Sequence, residues 1–213
     1  YITTPIYYPS AKPHMGHAYS SIIADFFARF KRITNNDVFF LTGTDEHGQK
    51  IERAAKLKNK KPLDFCDEIS LTFKNLSKTL NLSNDDFIRT TEDRHKNAVR
   101  HLWEILEKKG EIYLSKYSGW YSVSDEAFYS EDEIEEVENV KKSKTSGSIV
   151  EWVEEESYFF KLSKWQDQLL EFYEKNKNFI LPISRRNEVI SFVKSGLKDL
   201  SISRKSFKWG IGV

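Results

Sequence analysis

The chemistry in this 213-residue chain is concentrated first in His14-Met15-Gly16-His17. Two histidines three positions apart at the start of a helix can share its first turn, where free main-chain N–H groups and the helix dipole attract an anion. Each imidazole is able to donate a hydrogen bond to a phosphate oxygen, and Gly16 leaves room for a nucleotide to come close. The plain alternative is a turn that happens to carry two histidines. A second candidate is Thr42-Gly-Thr-Asp-Glu-His-Gly48. Asp45 there could pair with a substrate ammonium, with His47 beside it touching the ligand or supporting the acid; read blandly, Thr44 or Asp45 caps the next helix. Tyr7 and Tyr8 would suit the walls of an apolar slot, or a core.

The elements around these residues set their positions. Residues 1–8 are rich in β-branched and aromatic side chains and predict a buried strand. Ile22, Ile23, Phe26, Phe27, Phe30 and Ile33 recur at helical spacing, predicting a helix from 16 to about 33. Residues 38–41 form a short apolar run typical of a parallel strand covered on both faces. Ile51, Ala54, Ala55 and Leu57 mark a helix, a further one runs from Pro62 to 80, and a strand follows near 87–89. A third helix spans 92–109 and ends at Gly110 as its C′ residue. This order reads as half of a doubly wound parallel sheet, Rossmann-like, with both candidate motifs beyond carboxyl ends of strands, where such sheets hold ligands.

After Gly110 the texture changes. Residues 112–114 and 119–123 look like strands joined by a Tyr-Ser-Gly turn, followed by an acidic stretch at 125–138 and a polar connector at 141–147. Another strand is expected at 149–153, and helices at 164–173 and 186–197. The expected fold is therefore α/β: a first half of the sheet domain at 1–110, a small β-rich connective insert at 111–178, and a return to the first domain at 179–213.

Composition narrows the function classes. Lys plus Arg total 33 against 32 for Asp plus Glu, a net charge of +1, which argues against a polybasic binder of polyanions. Hydrophobic content of 39% and aromatic content of 14% support a packed core rather than disorder. The single Cys66 leaves neither a disulfide framework nor a multi-cysteine metal site within these residues. No apolar run is long enough to cross a bilayer, so the expectation is a cytoplasmic protein with no membrane partner.

Pro9-Ser-Ala-Lys-Pro-His-Met-Gly-His17 resembles the His-Ile-Gly-His signature of the class I aminoacyl-tRNA synthetases. Taken with residues 1–8, 42–48, 119–129, 151–163 and 184–193, nearly the whole chain is similar to the methionyl-tRNA synthetases, of the zinc-free bacterial-like type. The resemblance implies activation of methionine by ATP to methionyl-adenylate, with Mg²⁺, followed by transfer to the cognate tRNA. It assigns catalysis to His14 and His17 and ATP binding to Lys12, His14, Gly16, His17 and Arg204. Methionine binding falls to Pro5, Ile6, Tyr8, Asp45 and His47, with Asp45 on the ammonium. Arg185 and Arg186 are the basic residues expected to meet tRNA.

With no Cys-x-x-Cys pair, the insert is expected to lack structural zinc and to hold together through Trp120, Tyr121, Trp152, Phe159 and Phe160. The family's second signature, KMSKS, is absent; Lys141-Lys-Ser-Lys-Thr-Ser146 imitates it from within the insert and reads as a solvated loop. The chain is thus expected to be an N-terminal catalytic portion, without the second half of the nucleotide fold or the anticodon-binding domain. Two other readings stand beside this one: a fragment that binds nucleotide or methionine without turnover, and a small His-x-Gly-His nucleotidyltransferase, which would not need the insert after Gly110.

Overall fold

A computed structural model describes residues 1–125, 127–137, 139–205 and 207–213. Glu126 and Glu138 of the acidic stretch lie outside the described residues. The chain divides into two compact units, Tyr1–Leu102 with Val123–Glu126 and Phe207–Val213, and Trp103–Ser122 with Ala127–Ser206.

In the first unit, β1 (Ile2–Thr3), β2 (Phe40–Thr44) and β3 (Asp86–Arg89) form a parallel sheet in the order β1-β2-β3. α1 (Met15–Ile33) makes the first crossover, and α2 (Gln49–Leu57) and α3 (Pro62–Thr79) the second. β1 is shorter than residues 1–8 predict because Pro5 has no N–H to give to a ladder. Pairing lapses after the Thr4 N–H reaches the Leu41 carbonyl and resumes where the Tyr7 N–H meets the Gly43 carbonyl at 2.9 Å. β2 starts later than residue 38 and absorbs Thr42, Gly43 and Thr44, which the sequence placed beyond the strand; they pair with Phe87, Ile88 and Arg89. A Cβ on Gly43 would stand 2.0 Å from the Ile88 carbonyl oxygen, so the neighbouring strand, not a ligand, requires this glycine.

α1 is present as its periodicity predicts, but its bulky apolar residues do not form the buried face. Ala18, Ser21, Ala24, Asp25 and Ala28 are buried, while Ile22, Ile23, Phe26, Phe27, Phe30 and Ile33 are exposed. Small side chains let the helix approach the sheet closely, with Ala24 and Ala28 clustered on Phe40. Asp25 accepts hydrogen bonds from the Ser83 N–H and hydroxyl, both at 2.6 Å, and so ties α1 to the turn before β3. A second core cluster joins Tyr7 to Ile51 and Ala55 of α2 and to Phe65, Cys66, Ile69 and Phe73 of α3. Thr44, hydrogen bonded to Ser70 of α3, shares a sheet face with Phe40 by the two-residue period. α1 and α3 therefore cover one face, as right-handed crossovers advancing in one direction require. α4 (Asp93–Lys108) follows β3, and Gly110 at φ +69° ends it as expected.

The second unit is built on β4 (Ile112–Ser122) and β8 (Glu151–Phe160), antiparallel partners from Ile112 opposite Phe160 to Tyr121 opposite Glu151. The expected Tyr-Ser-Gly turn is thus the middle of one long strand; an unbroken ladder outweighs the weak strand propensity of Gly119. β5 (Ala127–Tyr129) and β9 (Leu200–Ser201) complete a sheet ordered β5-β4-β8-β9. β6 (Ile134–Val137) and β7 (Val140–Ser143) make a hairpin where the sequence suggested an acidic run, a polar connector and a solvated loop. Glu135 faces Lys142 and Glu136 faces Lys141, so the two charge runs are cross-strand partners. α5 (Gln166–Lys175) and α6 (Ile183–Lys194) belong to the same unit and pack against each other. Of the expected core aromatics, Tyr121 is buried, but Trp152 is 53% exposed and meets Trp120 edge-on at 5.2 Å.

Candidate functional site

His14 is the N-cap of α1, and the two histidines cap the helix reciprocally. Nδ1 of His14 accepts the Gly16 N–H at 3.1 Å, and Nδ1 of His17 accepts the His14 N–H at 3.1 Å. This is the geometry of a capping box, with imidazoles in place of the usual hydroxyl and carboxylate. An Nδ1 that accepts leaves the proton of a neutral ring on Nε2, so each histidine retains one donor. The rings lie 3.9 Å apart between centroids. A Cβ on Gly16 would come within 2.9 Å of His14 Cε1. The cap itself therefore needs this position free of a side chain. Burial, and then the charge of His14, lower the His17 pKa below its ordinary value of 6.5, which keeps the ring neutral and the cap intact.

Behind His17 stands Tyr7. Its ring meets His17 edge-on at 4.8 Å and stacks with Phe73 at 5.6 Å, and its hydroxyl shares a 2.8 Å hydrogen bond with Ser21. Tyr7 is thus core, not slot wall. Its neighbours Ile6 and Tyr8 turn the other way and are 38% and 44% exposed, as alternation along an extended chain requires. Pro5 is exposed too. The Tyr7 carbonyl accepts the Asp45 N–H at 2.9 Å. That bond brings the histidine turn and the acidic turn into one neighbourhood at the carboxyl end of the sheet.

The acidic turn is fastened by a residue the sequence did not single out. Glu46 is fully buried between half-buried Asp45 and His47. Burial pushes its pKa up, but hydrogen bonds from Arg89, Thr44 and Thr91 outweigh that and hold it below the ordinary 4.5. Trp209 also belongs here: its Nε1 donates to the Glu46 carbonyl, its own carbonyl accepts the Gly48 N–H at 3.0 Å, and its ring lies 5.4 Å from that of His47. Burial lowers the His47 pKa, helped by the charges of Lys96 and His95 against that of Glu46. His95 is half-buried and acts on His47 electrostatically.

The remaining candidates have separate surroundings. Lys12 is exposed and contributes to the field that stabilises the Glu68 carboxylate. Arg204 belongs to the second unit, where its guanidinium lies 4.4 Å from the Phe128 ring and donates to Ser201 Oγ at 2.8 Å. Arg185 is exposed and paired with Glu188, whereas Arg186 donates to the Tyr173 carbonyl at 2.9 Å and so joins α6 to α5. Among the described residues, no group of three or more His, Cys, Asp or Glu side chains could hold a metal ion, and no helix is long and apolar enough to cross a membrane.

A family model of tRNA synthetases class I (M) matches residues 1–213. The chain belongs to that family. Methionine–tRNA ligase of Rickettsia bellii (strain RML369-C) is 60% identical over 213 residues, all of this chain and 41% of the relative. That of Rickettsia typhi (strain ATCC VR-144 / Wilmington) is 62% identical with the same coverage. The chain thus spans about two fifths of these relatives' length. Mycobacterium tuberculosis methionyl-tRNA synthetase in complex with methionyl-adenylate matches with a TM-score of 0.97 and 50% identity, over all of this chain and 42% of that one. Its apo form matches with a TM-score of 0.81 and 47% identity, over all of this chain and 40% of that one. The fold is the Rossmann-like fold of this synthetase class, and the smaller nucleotidyltransferase reading falls to a family match that runs through both units.

Proposed function

We propose that this chain carries the nucleotide- and methionine-binding machinery of an enzyme that joins methionine to its tRNA through methionyl-adenylate. One observation supports this most: the two Nε2–H donors at the N-terminus of α1 are linked through Tyr7 to the turn that bears Asp45. A relative of the same fold is bound by methionyl-adenylate, the product expected of such a site.

In the first step a methionine carboxylate oxygen attacks the α-phosphorus of ATP, which enters as its magnesium complex. The new O–P bond forms as the bond to the bridging oxygen breaks, and pyrophosphate leaves with the electron pair. No covalent enzyme intermediate is needed; the residues position the reactants and stabilise charge. His14 and His17 donate to phosphate oxygens at the positive pole of α1, beside Gly16. Lys12 adds charge on the phosphate side. Asp45 holds the methionine ammonium, while Pro5, Ile6, Tyr8 and His47 line the thioether slot. A ribose hydroxyl of tRNA then attacks the adenylate carbonyl and AMP leaves; Arg185 is the more available tRNA contact, since Arg186 is committed to Tyr173.

The first unit, with its parallel sheet, is read as part of the nucleotide-binding domain, residues 111–178 as the connective insert and 179–213 as the start of the return; the insert is read as zinc-free because Cys66 is the only cysteine. The protein is placed in the cytoplasm, with its substrates. Methionine-dependent ATP–pyrophosphate exchange by the natural gene product tests the reading. Wild-type exchange that is lost in a folded His17→Ala variant is the expected result; exchange independent of methionine, or unaffected by the substitution, contradicts it.

A further inference from the structure

We propose that Glu46 is a positioning residue for the amino-acid half of this site, its buried carboxylate fixing the turn on which Asp45 and His47 stand. The inference rests on the reading that Asp45 meets the substrate ammonium. Every acceptor position of the carboxylate is in use. Oε1 accepts from Thr44 Oγ1 at 2.6 Å and Arg89 Nε at 2.7 Å; Oε2 accepts from Arg89 Nη2 at 2.9 Å and Thr91 Oγ1 at 2.5 Å. The main chain of the same residue is equally occupied. Its N–H donates to Thr90 Oγ1 at 2.8 Å, and its carbonyl accepts from Trp209 Nε1 and from Cys66 Sγ at 3.6 Å. One residue thereby connects β2, the end of β3, α3 and the segment around Trp209. Arg89 is held in turn by Asp67 at 2.6 Å.

Stability alone does not account for this arrangement. Withdrawing a carboxylate and a guanidinium from water is costly, and an apolar pair of similar volume serves a core about as well. What an apolar pair lacks is direction. A bidentate Arg–carboxylate contact with two further donors fixes one rotamer and one main-chain path, and here that path carries Asp45 on one side and His47 on the other. A displacement of the acid by about 1 Å is enough to cost a site much of its effectiveness, on the order of a hundredfold.

Steady-state ATP–pyrophosphate exchange by the natural protein, with methionine and ATP varied separately, provides the test. Glu46→Gln preserves shape and removes the charge that grips Arg89. The expected result is a rise of about tenfold in the methionine KM with the ATP KM unchanged, in a protein whose circular dichroism matches wild type. A purely structural role lowers the active fraction or raises both KM values together, and either pattern without a methionine-selective shift overturns the proposal. If Glu46→Gln does not fold, Thr91→Val, which removes one donor, decides: a smaller shift confined to methionine supports the proposal and no shift overturns it. Asp45→Asn is assayed alongside. An unchanged methionine KM in that variant overturns the ammonium reading itself, whereas a raised value there with none in Glu46→Gln overturns only the positioning role.

Discussion

The ring of His17 accepts the main-chain N–H of His14 at 3.1 Å, so the residues proposed to meet phosphate are also the cap of the helix that presents them. Capping orients both imidazoles before any ligand arrives. It also makes the two roles separable by substitution, because capping uses Nδ1 and phosphate binding uses Nε2.

Asparagine is a good N-cap and offers an acceptor near the Nδ1 position, but it has no group where Nε2 stands. His14→Asn is expected to keep stability within about 0.5 kcal/mol, and His14→Ala to cost about 1 kcal/mol. Both should lower exchange by about a hundredfold or more, the effect of removing one donor to developing charge. Thermal denaturation and exchange, measured on the same preparations, check this.

The cap depends on pH with a definite sign. The His17 pKa is lowered in the folded state from 6.5, first by burial and then by the charge of His14. Above 6.5 both folded and unfolded states carry the neutral ring and the full stabilisation is present. Below 6.5 the unfolded chain takes up the proton first, so stability falls with pH until the lowered folded value is passed. The melting temperature should decline on acidification from about pH 7 to about pH 5, and His17→Asn should flatten that decline.

The two glycines at the site answer differently to a methyl group. At Gly43 the added Cβ would meet the Ile88 carbonyl oxygen at 2.0 Å, main chain that cannot move without breaking the β2–β3 ladder. Gly43→Ala is expected to destabilise by about 3 kcal/mol or more, and Gly16→Ala by about 1 kcal/mol, since the His14 ring can swing away. Denaturant melts give both values, and the Gly16 variant should lose exchange as well as the small amount of stability.

Phe26 and Phe30 on α1 are 63% and 51% exposed and stack on each other one turn apart. Together with the neighbouring exposed residues they form an apolar surface of the kind that binds dyes and other proteins. In the 213-residue chain, Phe26→Glu with Phe30→Lys is expected to reduce anilinonaphthalene sulfonate fluorescence while changing stability by less than about 1 kcal/mol.

Residues that act through local order were legible in the sequence, and those that act across the fold were not. The His-x-Gly-His turn, the helix after it and the Gly110 stop depend on neighbours within a few positions, and all stand where the residues indicated. Periodicity located α1 but not its buried face, because Ala18, Ala24 and Ala28 carry little hydrophobic signal beside phenylalanine and isoleucine. Local propensity divides β4 in two because Gly119 and Ser118 are weak strand formers, and their support comes from Val153 and Glu154 on a distant strand. Glu46 lacks a local signal for the same reason. Its partner Arg89 is 43 positions away, and nothing in Asp-Glu-His-Gly says that the second acid, not the first, turns inward. Trp209, 163 positions from Glu46, is further still from any local pattern.

A crystal structure of the natural protein with methionine and a non-hydrolysable ATP analogue tests the site most directly. The expected density has phosphate oxygens within hydrogen-bond distance of Nε2 of His14 and His17 and the methionine ammonium against the Asp45 carboxylate. Ordered ligand elsewhere, with the N-terminus of α1 free of phosphate or the ammonium away from Asp45, would contradict it.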